Sequence, residues 1–131
     1  MLSKKPSITN VLVVEPDELL AKTYRRILND SGYYVRSSTN AQDAIIDIDS
    51  TKPDVIIVEI QLRLHNGIEL LNEIRSYPDL SEIPIIVLTY VPEVSFSSLL
   101  NDKQLKFVKY LHKSQATHQD ILFAVQEALA Q

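Results

Sequence analysis

Four residues with reactive side chains stand directly behind apolar runs. Glu15 follows Val11-Leu12-Val13-Val14, Glu59 follows Val55-Ile56-Ile57-Val58, and Thr89 follows Ile85-Ile86-Val87-Leu88. Lys113 comes just past Phe107-Val108-Lys109-Tyr110-Leu111. If these runs are neighbouring strands, two carboxylates, a hydroxyl and an ammonium converge on one rim, a set suited to ion-pair chemistry. A plainer explanation competes with this one: strand ends are polar because they meet water. Spacing alone leaves both open.

The elements that must position these residues alternate along the chain. The runs at 11–14, 55–58 and 85–88 are continuous and rich in β-branched residues, as strands covered on both faces are. Tyr33-Tyr34-Val35-Arg36 and 107–111 are more mixed and predict edge strands. Helical spacing fills the gaps. Leu20, Tyr24, Ile27 and Leu28 share a face, with Gly32 just past the end. Ala41, Ala44, Ile45 and Ile48 follow behind Asn40 as N-cap. Ile68, Leu71 and Ile74 form a third face, and Phe96, Leu99 and Leu100 a weaker fourth. Ile121, Ala124, Val125, Ala128 and Leu129 form the clearest stripe, opened by Thr117 and Asp120. Five β-α units predict a right-handed, doubly wound α/β sheet of flavodoxin-like order 2-1-3-4-5, in three α/β/α layers. In such sheets a site forms beyond the carboxyl ends of the strands, between the first and third. Residues 1–7 read as a flexible lead and 8–131 as one domain.

Composition narrows the function. The chain has 131 residues, 45% hydrophobic and 23% charged, enough for one packed domain. Thirteen basic and seventeen acidic residues give a net charge of −4, which argues against non-specific nucleic-acid binding. There is no cysteine, so disulfides and thiolate chemistry are excluded. Apolar runs are too short to span a membrane, and no signal-peptide core follows Lys4 and Lys5. A cytoplasmic location is the expectation. With only Gly32 and Gly67, no dinucleotide or Walker loop exists. His65, His112 and His118 lack metal-ligand spacing. Lys103, Lys106 and Lys109 read as a solvated face, or as a docking patch for an acidic partner. A flavin phosphate is disfavoured because Glu15-Pro16-Asp17-Glu18 carries three carboxylates into the first loop.

Four segments in order resemble the receiver domain of two-component response regulators, over about residues 9–130. VLVVEPDELL is similar to that family's first strand and acidic loop, and PDVIIVEIQLRLHNGIELLNEIR to the segment around its phosphorylated aspartate. IPIIVLTY resembles its fourth strand, and FVKYLHKS its fifth strand with aromatic and lysine. The resemblance puts Glu15 and Pro16 at the acidic-pair positions, with Asp17 as a neighbouring acid. Glu59 falls at the phosphoacceptor position, and Gln61 where a backbone carbonyl would meet the family's Mg²⁺. Thr89 and Tyr110 fall at the switch positions and Lys113 at the phosphate-pairing position. It also implies contact with a histidine kinase or another signalling protein. The fourth helix, fifth strand and fifth helix would form a face for partners or for homodimerisation.

Departures from the family pattern shape the expectation. Glu59 is one methylene longer than aspartate, and an error of about 1 Å in a reacting group can cost about a hundredfold. Pro16 offers no side-chain oxygen to a divalent ion. Tyr90 replaces a small residue and is a candidate to occlude the site. Arg63 and Ser114 stand where prolines are usual. A cis bond before Ser114 would cost about 3–4 kcal/mol, so a trans bond is expected. The chain therefore reads as an atypical, or pseudo-, receiver. It would be a non-enzymatic module acting by phosphorylation-independent protein–protein interaction, with no cofactor and Mg²⁺ binding lost or weak. Lys113 would pair with Glu59 in place of phosphate. The alternatives are a single-domain response regulator still phosphorylated at an unusual site, and a small-ligand-binding flavodoxin-like domain. A stand-alone protein and a piece of a longer chain are both compatible with the sequence.

Overall fold

A computed structural model describes residues 8–62, 67–96 and 107–130. The order is β1 (Asn10–Val14), α1 (Glu18–Asp30), β2 (Tyr34–Ser38), α2 (Ala41–Ser50), β3 (Val55–Val58), α3 (Gly67–Ser76), β4 (Ile85–Thr89), α4 (Glu93–Phe96), β5 (Lys109–His112) and α5 (His118–Leu129). All strand pairs are parallel, and the sheet runs β2-β1-β3-β4-β5. The two mixed runs are the edges, as their composition predicts. Both start later than the sequence suggests, at Tyr34 and Lys109. The lead at 1–7, and Leu99 and Leu100 of the predicted fourth face, lie outside the described residues, as do His65, Lys103 and Lys106.

Two cores explain why the central strands are apolar throughout. Leu12, Val14, Ile56, Val58, Ile85 and Val87 face Ala44, Ile48, Leu71 and Ile74 of α2 and α3. The alternate residues Val11, Val13, Val55, Ile57, Ile86 and Leu88 face Tyr24 and Leu28 of α1 and Ile121 and Val125 of α5. Each fully buried aliphatic side chain contributes about 1.5–3 kcal/mol. A polar substitution on either face of these strands would therefore be costly.

Local signals set the ends of the elements. Asp17 caps α1 by accepting from the Leu19 and Leu20 N–H groups at 2.9 and 3.1 Å. Asn40 caps α2 through Asp43 N–H at 2.8 Å. Thr117 and Asp120 form a reciprocal capping box at α5. Gly32 ends the α1 turn with φ +93°, a conformation side chains disfavour. Gly67 answers to a different constraint. A Cβ there would lie 2.5 Å from Ile60 Cα and 2.9 Å from the Glu59 carbonyl oxygen. The start of α3 is thus pressed against the backbone that carries Glu59. Gly67→Ala should destabilise the domain by about 1–3 kcal/mol in urea unfolding, because the obstacle is backbone that cannot swing aside.

Candidate functional site

Strand register brings the first two acids together. Val14 pairs with Val58 across β1 and β3, so Glu15 and Glu59 emerge side by side. The ladder continues through them: Glu59 N–H donates to the Val14 carbonyl and Glu15 N–H to the Ser38 carbonyl, each at 2.9 Å. Both residues are buried, at 2% and 4% exposure. Two adjacent buried carboxylates repel each other and resist leaving water.

Lys113 resolves that conflict. Its backbone N–H donates to the Thr89 carbonyl at 2.8 Å, which anchors it behind β5. The following bond to Ser114 is trans. Its Nζ lies 2.6 Å from Glu15 Oε1 and 2.6 Å from Glu59 Oε1, with the side chain 5% exposed. The remaining oxygen of each glutamate is held in the same way: Glu15 Oε2 accepts Asp17 N–H, and Glu59 Oε2 accepts Gln61 N–H, both at 3.0 Å. Burial by itself would lower the Lys113 pKa. The hydrogen bonds and charges of Glu15 and Glu59 outweigh it, and the net movement is upward.

Pleat alternation divides the remaining predicted residues. Glu15, Glu59 and Lys113 continue the parity of Val13, Ile57 and Leu111, which pack toward α1 and α5. Thr89 continues the parity of Ile85 and Val87, on the other face. Thr89 is fully buried, and its hydroxyl accepts Val91 N–H at 3.2 Å instead of joining the carboxylates. The Tyr110 hydroxyl donates to the Val91 carbonyl. Burial first, then Glu93 and Glu59, push the Tyr110 phenol up to about 12. Residue 91 is therefore held on both its polar groups, and Tyr90 between them is fixed at its base. The Tyr90 ring sits with its centroid 5.3 Å from Lys113 Nζ, within cation–π range, and meets His112 edge-on at 6.2 Å. Tyr90 is nevertheless 55% exposed, so it covers one side of the ammonium without closing the rim. Pro16 is half-buried, and Asp17 turns to the α1 cap. His112 Nδ1 lies 2.6 Å from Ser114 Oγ, a contact local to that loop.

Two features escaped sequence reasoning. Glu15 shares Lys113 equally with Glu59, which only the register decides. Tyr24, assigned to the core by helical spacing, also borders the acids. Burial chiefly, then the charges of Glu15, Tyr90, Glu59 and Asp17, raise its phenol above the ordinary range and keep it neutral. Its position in the α1 stripe gives no sign of this, because the carboxylates that perturb it come from other elements.

Comparisons with known proteins agree with this architecture. Residues 11–126 match the family model of the response regulator receiver domain. The response regulator MprA of Mycolicibacterium vanbaalenii is 32% identical over 85 residues, covering 65% of this chain and 36% of that protein. The KDP operon transcriptional regulatory protein KdpE of Escherichia coli K12 is 32% identical over 88 residues, covering 67% of this chain and 38% of that protein. The chain thus spans little more than a third of the length of these curated relatives. Among solved structures, a two-component response regulator from Clostridium difficile is 29% identical, with TM-score 0.77 over 93% of this chain and 95% of its own. Chemotaxis response regulator CheY4 of Vibrio cholerae, 22% identical, shares the fold with TM-score 0.83 over 94% and 100%. Fold and sequence together make this chain a member of the response regulator receiver domain family.

Proposed function

We propose that this receiver is a pseudo-receiver, working in two-component or phosphorelay signalling by protein–protein interaction without phosphorylation. One observation carries the reading: the Lys113 ammonium is shared by Glu15 and Glu59, and all four carboxylate oxygens have donors. In this arrangement Glu59 is a partner in an ion pair, not a free nucleophile. Its extra methylene places the carboxylate off the reach of an aspartate, and phosphoryl transfer tolerates little misplacement.

The donor set does not suit Mg²⁺. That ion asks for near-octahedral oxygen ligands. Position 16 supplies none from its side chain, Asp17 is committed to the α1 cap, and the two glutamates are turned to Lys113. Among the described residues, no group of three His, Asp or Glu side chains is arranged to hold a metal ion. The cluster acts as a fixed internal charge that holds β1, β3 and β5 in one relation. The message lies in surface shape, read by a sensor kinase or another signalling protein. A cytosolic setting fits this reading, and among the described residues no helix is long and apolar enough to cross a membrane.

Three measurements test the reading. Incubation with acetyl phosphate and Mg²⁺, followed by intact mass, should leave the chain unmodified. A phosphoryl adduct would establish the working-receiver alternative. Lys113→Met should cost about 3–5 kcal/mol in chemical unfolding, since it strands two buried carboxylates. Adding Glu15→Gln and Glu59→Gln to that variant should return much of the loss. If Lys113→Met leaves stability unchanged, the ion cluster is not what holds the rim. The third measurement is stability against pH. Because the Lys113 pKa is raised in the folded state, its contribution is complete below the ordinary lysine value of 10.5 and fades as pH rises through the higher folded value. On the alkaline side, the stability gap between wild type and the Lys113→Met, Glu15→Gln, Glu59→Gln variant should therefore hold until pH passes 10.5 and then shift against wild type.

A further inference from the structure

Among the described residues, four cationic side chains are partly buried: Arg25, Arg36, Arg75 and Lys113. Three of them are balanced by acids or carbonyls. Arg36 pairs with Asp47 at 2.6 Å, Lys113 is held by Glu15 and Glu59, and Arg75 donates to the Ser81 and Ile83 carbonyls beside Glu82. Arg25 is the exception. Its guanidinium donates to the Ser37 hydroxyl, a neutral acceptor, and no carboxylate among the described residues lies within ion-pair distance of it. A charge drawn out of water ordinarily has an opposite charge beside it. Arg25 lines a cavity of about 640 Å³ between α1 and the end of β2. Lys22, one turn earlier on α1, shares that wall. It too has no acid in reach, although Glu18 stands at the i, i+4 spacing that favours a pair. Ser37 continues the parity of Val35, which packs toward α1, and Thr39 follows on the same side, so two hydroxyls line the floor. Leu19, 75% exposed, supplies an apolar edge. Among the described residues, Glu18 is the one acid on the cavity wall, against two cations. Of the neighbouring acids, Asp17 accepts the Leu19 and Leu20 N–H groups and Asp43 the Asn40 side-chain amide.

We infer that this α1–β2 cavity binds a small phosphomonoester that also carries hydroxyl groups, the chemistry of a sugar phosphate. The phosphate would lie between Arg25 and Lys22. Arg25 commits one N–H donor to Ser37, and its planar fork matches two phosphate oxygens. The Lys22 ammonium adds a second charge and the Thr39 hydroxyl a neutral donor. Glu18 would accept hydroxyls from the body of the ligand, which lies along Leu19. The same carboxylate repels further anionic groups, so one phosphate is favoured over a polyphosphate or a nucleic acid. The volume falls within the roughly 300–1,000 Å³ of small-molecule sites. Glu15, Glu59 and Lys113 do not line this cavity, so the inference is independent of whether residue 59 takes phosphate.

The test titrates the full chain with glucose 6-phosphate, inorganic phosphate and glucose, read by amide chemical shifts. Glucose 6-phosphate should move the amides of Lys22, Arg25, Ser37 and Thr39 and bind more tightly than inorganic phosphate, and glucose should leave them unmoved. Arg25→Gln and Lys22→Gln should each weaken glucose 6-phosphate by about tenfold. Glu18→Gln should weaken it too, while inorganic phosphate binds at least as well as before. Arg26→Gln, exposed on α1 outside the cavity, should change neither. Lys22 and Glu18 are exposed, so their variants decide the matter even if Arg25→Gln fails to fold. Equal binding of inorganic phosphate and glucose 6-phosphate would reduce the cavity to a general anion surface and overturn the inference. So would shifts confined to the strand-end rim, capture by phosphatidate-containing vesicles in preference to glucose 6-phosphate, or no shift at millimolar ligand.

Discussion

Two glutamates that register forces side by side govern this rim. The parallel pairing of Val14 with Val58 leaves Glu15 and Glu59 no choice of neighbour, and their burial removes the water that would otherwise screen them. A cation is therefore a structural requirement of the sheet, not an accessory. Lys113 reaches both acids because β5 ends on the same pleat parity and its backbone is tied to Thr89. The cluster joins β1 and β3 to the loop after β5, so it couples the centre of the sheet to one edge.

The coupling extends into the segment after β4. Tyr90 lies over the ammonium, while its neighbour Val91 is gripped by the Thr89 hydroxyl and the Tyr110 phenol. Movement of Lys113 would disturb the Tyr90 ring, and movement of Tyr110 would disturb Val91. The link consists of adjoining contacts along one short stretch of backbone. With the ion cluster intact, the polar groups of Val91 are both satisfied in this arrangement.

The two faces of the sheet differ in what their helices border. The α1 and α5 layer borders the ion cluster and carries exposed residues of both signs, Lys22 and Arg26 with Glu18, Asp30 and Asp120. The α2 and α3 layer carries exposed acids around an apolar groove. Apolar alternation within the strands supports both layers equally, so the surfaces can diverge without loss of the core.

The sequence by itself determined the sheet. Three continuous β-branched runs, two mixed ones and the helical stripes between them fix a five-stranded α/β domain with its edges and most of its caps. Local patterns suffice there because strand burial and helix amphipathicity are written in residue order. They also place Glu15, Glu59, Thr89 and Lys113 at strand ends, and the segments around them carry the family likeness. Only the tertiary structure decided what those residues do to one another. Register makes the Lys113 pair a three-membered cluster with Glu15, and pleat parity turns the Thr89 hydroxyl to Val91 and away from the acids. Helix packing brings Tyr24 beside carboxylates from other elements. The α2–α3 groove likewise exists only once two helices, distant in sequence, lie on one face. Such relations are contacts between elements, set by three-dimensional registration, and no spacing along a single chain encodes them directly.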